Sequence, residues 1–251
     1  MNYINPPAEA PKNITHKTFY SHTLNHIIGY NIYLPSAYWE SEERYPVVYH
    51  IHGWQGNESS DIWSIETVYR NRPAITVFMN VISSKTEYFD ALLQIEAILM
   101  KELIPHIDER YRTNATRENR MLSGFSMGGA MAFYFAVKYA ELFGSVTSYA
   151  GTYHHQYHKD YHGVGKSPET AIELYETMMH EKRYLEENNI LCLVRQNADK
   201  IRRTLHIAVH IGTNDILFCD NEIMHLYLAS LDIPHEYKTF NGVEHDLEKI
   251  V

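Results

Sequence analysis

The chain has 251 residues, 45% of them hydrophobic and 21% charged, with 22 basic against 31 acidic side chains and a formal charge of -9. That is the make-up of a soluble globular protein, long enough for one large α/β domain, the expectation here, or less readily for two small ones. With no basic excess to displace counterions, it excludes a nucleic-acid backbone as partner.

The amino terminus, Met1 to Ala10, lacks a basic segment followed by an apolar one, and no later run reaches the roughly 20 apolar residues of a membrane span. A cytoplasmic protein with no membrane partner is the expectation. Cys192 and Cys219 have neither C-x-x-C nor zinc-ligand spacing, so they read as buried structural thiols, with no metal site implied.

Thr15 to Thr23 and Ile27 to Leu34 read as a strand hairpin turning near Asn25-His26. Pro46 to His52 is an apolar strand of the kind covered on both faces, and it ends in the glycine-bearing loop His52-Gly53-Trp54-Gln55-Gly56-Asn57. Open α/β sheets place their ligands at such carboxyl ends. Asp61 to Arg70 predicts a short helix and Ala74 to Met79 a strand. Tyr88 to Tyr111 predicts a helix kinked or broken at Pro105.

Asn119 to Ser123 leads as a strand into Gly124-Phe125-Ser126-Met127-Gly128-Gly129, and Ala130 to Ala136 leads out as a helix. Small residues two before and two after Ser126 permit a strand-to-helix turn that lifts the hydroxyl off the sheet edge, a nucleophile elbow. Gly144 to Gly151 predicts the next strand. Residues 153 to about 187 then leave the sheet as a small cap insertion, rich at first in histidine (His154, His155, His158, His162) and tyrosine. A solvated loop is the ordinary reading of those histidines; zinc ligation and substrate contact are the sharper ones.

Asn188 to Arg203 reads as helix, Leu205 to Ile211 as strand, Glu222 to Leu231 as helix and His235 to Phe240 as a final strand. Helices alternating with strands predict one mostly parallel sheet with the amino-terminal hairpin as its antiparallel edge.

A serine hydroxyl needs a base, and the base needs an orienting group. Asp215 follows one predicted strand and His245 the last one. Ser, then acid, then His is the α/β-hydrolase order. His245 is preferred among sixteen histidines because it lies on a glycine-containing turn, whereas His206, His210 and His235 lie in or at the start of strands and His225 in a helix. For the acid, Asp220 and Asp246 stand close by, and an Asp after a strand can equally cap the next helix. The backbone N–H of Met127 is one expected oxyanion donor, and the Gly53-Trp54 segment the source of a second. Trp54, Trp63, Tyr88 and Tyr153 are candidate aromatics against the substrate, with packing as the alternative role.

Together, the 52–57, 124–129 and 212–215 loops and Gly242-Val243-Glu244-His245-Asp246 resemble the esterase D and feruloyl esterase superfamily. That group takes in carbohydrate esterase family one, enterochelin esterases, S-formylglutathione hydrolases and mycolyltransferases. The resemblance spans roughly residues 17 to 250. It implies an α/β-hydrolase fold, Ser126 as nucleophile, Asp215 as acid, His245 as base and the amides of Trp54 and Met127 as oxyanion hole, with no cofactor.

The expected activity is hydrolysis of small acyl or aryl esters, including feruloyl or acetyl esters of carbohydrate. Thioester hydrolysis of the S-formylglutathione type and a non-catalytic binding protein of the same fold are the alternatives. Twenty tyrosines are compatible with a self-associating surface and a homo-oligomer.

Overall fold

The computed structural model describes residues 3–81, 88–153 and 190–251, with positions 169, 172 and 176 between them. The cap expected over 153–187, with its histidines, lies outside the described residues apart from Tyr153 and those three positions. Eight strands form one sheet: β1 (Ile14–Ser21), β2 (His26–Tyr33), β3 (Val47–Ile51), β4 (Ile75–Met79), β5 (Arg120–Phe125), β6 (Ser145–Tyr149), β7 (His206–Gly212) and β8 (His235–Phe240). Their order is β1-β2-β4-β3-β5-β6-β7-β8.

β2 runs antiparallel to both β1 and β4, and every other pairing is parallel. The expected mostly parallel sheet with an antiparallel amino-terminal hairpin is the sheet observed. The order of β3 and β4 fixes where a ligand can enter. β3 and β5 are neighbours, yet the chain leaving β3 goes to β4 on one side and the chain leaving β5 goes to β6 on the other. Their carboxyl ends therefore diverge, opening a crevice at the switch point.

All five residues of β3 and all five of β4 are buried, because both faces of these strands are covered. Alternate residues feed two cores. Tyr49 and Ile51 join the larger cluster with Phe133 and Phe135, while Phe78 joins a smaller one with Ile62, Tyr69, Ile211 and Ile250. The edge strand β8 has no fully buried residue.

The helices are α1 (Glu66–Arg70), α2 (Tyr88–Ala97), α3 (Ile104–Arg110), α4 (Met127–Lys138), α5 (Ile190–Gln196), α6 (Ala198–Thr204) and α7 (Phe218–Ser230). Helix α4, with ten buried residues, lies against β3, β5 and β6. No helix among the described residues is long and apolar enough to cross a membrane.

Three local expectations are corrected. Pro105 does not break its helix: a π-helical stretch, Ile98–Leu103, joins α2 to α3, and the Ile104 N–H reaches back to Leu99 O. The wider turn accommodates a ring that lacks an N–H and crowds the carbonyl four residues back. The helix expected over 188–203 is broken into α5 and α6 at Asn197, whose side chain takes the Leu193 carbonyl at 2.9 Å in competition with the backbone. Of 61–70 only Glu66–Arg70 is α-helical, because Asp61 instead turns its carboxylate inward to His50.

Candidate active site

Ser126 stands between β5 and α4 at φ 55°, ψ −119°, a left-handed backbone that a serine adopts only under strain. Its N–H donates to Tyr149 O at 2.8 Å, and its carbonyl accepts from Ala130 N–H and Thr152 N–H, both at 3.1 Å. The flanking glycines are required by contact. A Cβ on Gly124 would lie 2.3 Å from Gly128 O, and one on Gly128 would lie 2.0 Å from Ile51 O. The start of α4 thus lies directly on the end of β3, which brings the serine to the crevice between β3 and β5. Met127, as the first residue of α4, has a backbone N–H with no carbonyl to reach within the helix.

The loops that carry Asp215 and His245 are sewn together. Thr213 N–H donates to Phe240 O at 3.0 Å, Asn214 N–H to Val243 O at 2.9 Å, and Gly242 N–H to Thr213 Oγ1 at 2.8 Å. On this frame His245 Nδ1 meets Asp215 Oδ2 at 2.8 Å. Asp215 is fully buried while the His245 side chain is 29% exposed. An ionised carboxylate accepts only, so Nδ1 carries the proton and Nε2 keeps its lone pair.

The other carboxylate oxygen, Oδ1, accepts the Leu217 N–H at 2.8 Å, and Phe218 N–H bonds Asp215 O at 3.1 Å. Asp215 therefore orients the histidine and also closes the turn that leads into α7, which begins at Phe218, four residues before the expected start. Asp220 lies within α7 and Asp246 caps the last 3-10 turn through Glu248 N–H, so neither pairs with His245.

The ring of Phe125 stacks on His245, centroids 4.6 Å apart and planes 27° apart, which seats the imidazole beside the elbow. Among the described residues Ser126 Oγ bonds Thr152 Oγ1 at 3.3 Å and not His245, so of the three candidates Asp215 and His245 are paired directly, and Ser126 follows Phe125, whose ring stacks on His245. Substrate-free sites commonly hold this bond long. Thr152 is a contact that sequence reasoning missed. A cleft of about 830 Å³ opens on the histidine side, lined by Phe125, His245, Asn214, Asp61, Ser64 and Lys249; Ser126, Trp54 and Trp63 do not line it.

Trp54 and Trp63 are about half exposed. The side chain of Tyr88 lies outside the described residues. Tyr153 is fully buried among the described residues, edge-on to Phe133 at 5.5 Å, and its hydroxyl donates to Ser148 Oγ at 2.8 Å.

The sequence reading also passed over a second Ser–His–Asp set. His50 Nδ1 contacts Ser123 Oγ at 2.9 Å, and its Nε2 contacts Asp61 Oδ2 at 3.0 Å, with all three residues buried. Its signal was in view: His50 is an ionisable residue inside an otherwise apolar, fully buried strand.

The Esterase family model, described as "Putative esterase", matches residues 21–247. An endo-1,4-beta-xylanase/feruloyl esterase of Xylanibacter ruminicola is 32% identical over 152 residues, which are 53% of this chain and 20% of that protein. Esterase Rv1288 of Mycobacterium tuberculosis is 33% identical over 135 residues, 49% of this chain and 29% of that protein. The chain thus spans less than a third of the length of either relative.

Among solved structures, a ferulic acid esterase superposes with a TM-score of 0.70 at 20% identity, covering 94% of this chain and 92% of that one. An S-formylglutathione hydrolase from Staphylococcus aureus gives 0.67 at 16%, covering 93% and 92%. A CE1 ferulic acid esterase from Anaeromyces mucronatus, in complex with ferulic acid, gives 0.68 at 21%, covering 98% and 91%. At these identities what they share with the chain is the α/β-hydrolase fold. The family match takes in 227 of the 251 residues, and the chain, built on the α/β-hydrolase fold, therefore belongs to the Esterase family.

Proposed function

We propose that the chain hydrolyses carboxylic esters through a covalent acyl-enzyme on Ser126, with His245 as general base and acid and Asp215 as its orienting carboxylate. The observation that carries this reading is the 2.8 Å Asp215–His245 pair, held by two interlocked loops next to a strained serine. In the first step the Ser126 proton passes to His245 Nε2 while Oγ bonds the acyl carbon. His245 then returns the proton to the departing alkoxide as the carbon–oxygen bond breaks. Water, deprotonated by the same nitrogen, releases the acid and restores the serine. The oxyanion is met by the N–H groups of Met127 and Trp54, each worth about 3 to 4 kcal/mol in comparable sites.

The substrate class we favour is a small acyl or aryl ester, feruloyl or acetyl esters of carbohydrate in particular. The feruloyl esterase of Xylanibacter ruminicola supports this, since the portion it shares with the chain accounts for over half of the chain.

A fluorophosphonate probe and a substrate panel test the proposal. Wild type should be labelled and Ser126→Ala should not. Methyl ferulate, p-nitrophenyl acetate and acetylated xylo-oligosaccharides should outpace S-formylglutathione. Label that survives Ser126→Ala would sink the mechanism, and a preference for S-formylglutathione would replace the substrate class.

A further inference from the structure

His52 lies at the end of β3, 2% exposed, and both of its ring nitrogens have fixed roles. The Val81 N–H donates to Nε2 at 3.1 Å, and a backbone amide can only donate. Nε2 therefore holds the lone pair and the ring proton sits on Nδ1, which donates to Gly53 O at 2.7 Å. Gly56 N–H donates to the same oxygen at 3.1 Å, closing a turn in which Gln55 takes a φ of 61°.

The Gly53–Trp54 peptide is trans, so its carbonyl and its N–H point in opposite directions. Two donors that grip Gly53 O consequently set the direction of the Trp54 N–H. A Cβ built on Gly53 would lie 3.4 Å from Ser126 Cβ, which places this peptide against the nucleophile.

We infer that His52, as the neutral Nδ1–H tautomer, is a positioning residue that holds the Gly53–Trp54 peptide with its N–H facing the substrate oxyanion. The inference rests on the esterase reading above. Its chemistry is a matter of sign: if this peptide flipped, a carbonyl oxygen would stand where a donor is needed, and attraction to the developing charge would become repulsion. A protonated ring cannot do the same work, since its Nε2–H would oppose the Val81 N–H.

Two substitutions of similar size separate the roles. Asparagine places an amide N–H close to where the imidazole presents Nδ1–H. Glutamine reaches toward Val81 and leaves Gly53 O without its side-chain donor. His52→Asn should keep kcat within about tenfold of wild type, whereas His52→Gln should lose about 10²-fold in kcat, the effect of one oxyanion donor, with KM within about threefold. Affinity for a trifluoromethyl ketone mimic of the tetrahedral intermediate should fall in parallel with kcat.

Equal losses in the two variants, a loss confined to KM, or a wild-type kcat in His52→Gln would overturn the inference while leaving the esterase reading intact. A wild type that is neither labelled by fluorophosphonate nor active on the panel would overturn both. The ring itself gives a reading that needs no variant. ¹⁵N shifts of His52 should show Nδ1 protonated and Nε2 bare, and the opposite tautomer would refute the assignment.

Discussion

Two Ser–His–Asp sets take their serines from strand β5 or just beyond its end, and only one of them has an open end. In the set of Ser123, His50 and Asp61 both imidazole nitrogens are engaged at 2.9 and 3.0 Å, and the ring is 1% exposed. In the set of Ser126, His245 and Asp215 the acid is buried as deeply. There the histidine offers an Nε2 with no hydrogen-bond partner among the described residues, and the serine stands on a strained turn. The residue types are the same in the two sets, and the His–Asp distances, 3.0 and 2.8 Å, are close. What separates them is an unsatisfied base beside a lifted hydroxyl: the first set ties strand to loop, and the second is free to take a proton.

The sharpest way to break this contrast is to truncate each serine. Ser126→Ala should lower kcat by about 10⁶-fold and abolish fluorophosphonate labelling. Ser123→Ala should leave kcat within about threefold. It should instead cost about 1 to 3 kcal/mol of stability by leaving a buried ring nitrogen unsatisfied, read as a fall in chemical-denaturation midpoint. A labelled Ser126→Ala or a dead but folded Ser123→Ala would reverse the assignments.

Next in size is the acid. Asp215→Asn should cost about 10⁴-fold in kcat by favouring the wrong imidazole tautomer, while Asp220→Asn should not approach that loss. Steady-state kinetics on p-nitrophenyl acetate distinguish them.

Acid sensitivity sharpens the comparison from the side of stability. Burial pushes His52, His106, His210 and His225 below their ordinary value, so the folded chain refuses protons that the unfolded chain accepts. The sign follows: stability present at pH 7 is lost as pH falls through about 6.5, where unfolded histidines titrate, toward the lower folded values. The thermal midpoint should therefore drop between pH 7 and pH 5, and less steeply in His52→Asn.

The smallest effect concerns the elbow itself. Ser126→Gly should be more stable than Ser126→Ala by about 1 kcal/mol, since only glycine relieves the positive φ, a difference of about 2 to 4 °C in thermal midpoint.

What was legible in the sequence was local. The apolar runs, the glycines beside Ser126 and the turn chemistry before Asp215 and His245 each act over a few residues, and they placed all eight strands and the three catalytic candidates. What escaped depends on partners far along the chain. His50 finds Ser123 across 73 residues and His52 finds Val81 across 29, pairings that exist only once β3 lies between β4 and β5. Tyr153 looked like the first residue of a cap, and only the packing of α4 against β6 creates the space that its ring fills. The π stretch before Pro105 was hidden because the sequence marks the proline but not how the helix absorbs it.

The segment from Tyr149 to Tyr153 is tied down at nearly every residue. Tyr149 O holds the Ser126 N–H, Gly151 exchanges two hydrogen bonds with the Asn221 side chain at 3.1 Å, Thr152 returns to Ser126, and Tyr153 is rooted on Ser148. Among the described residues these ties meet at the backbone and side chain of Ser126. The consequence is mechanical: a substitution as distant in sequence as Asn221 reaches Ser126 through this one strap of backbone.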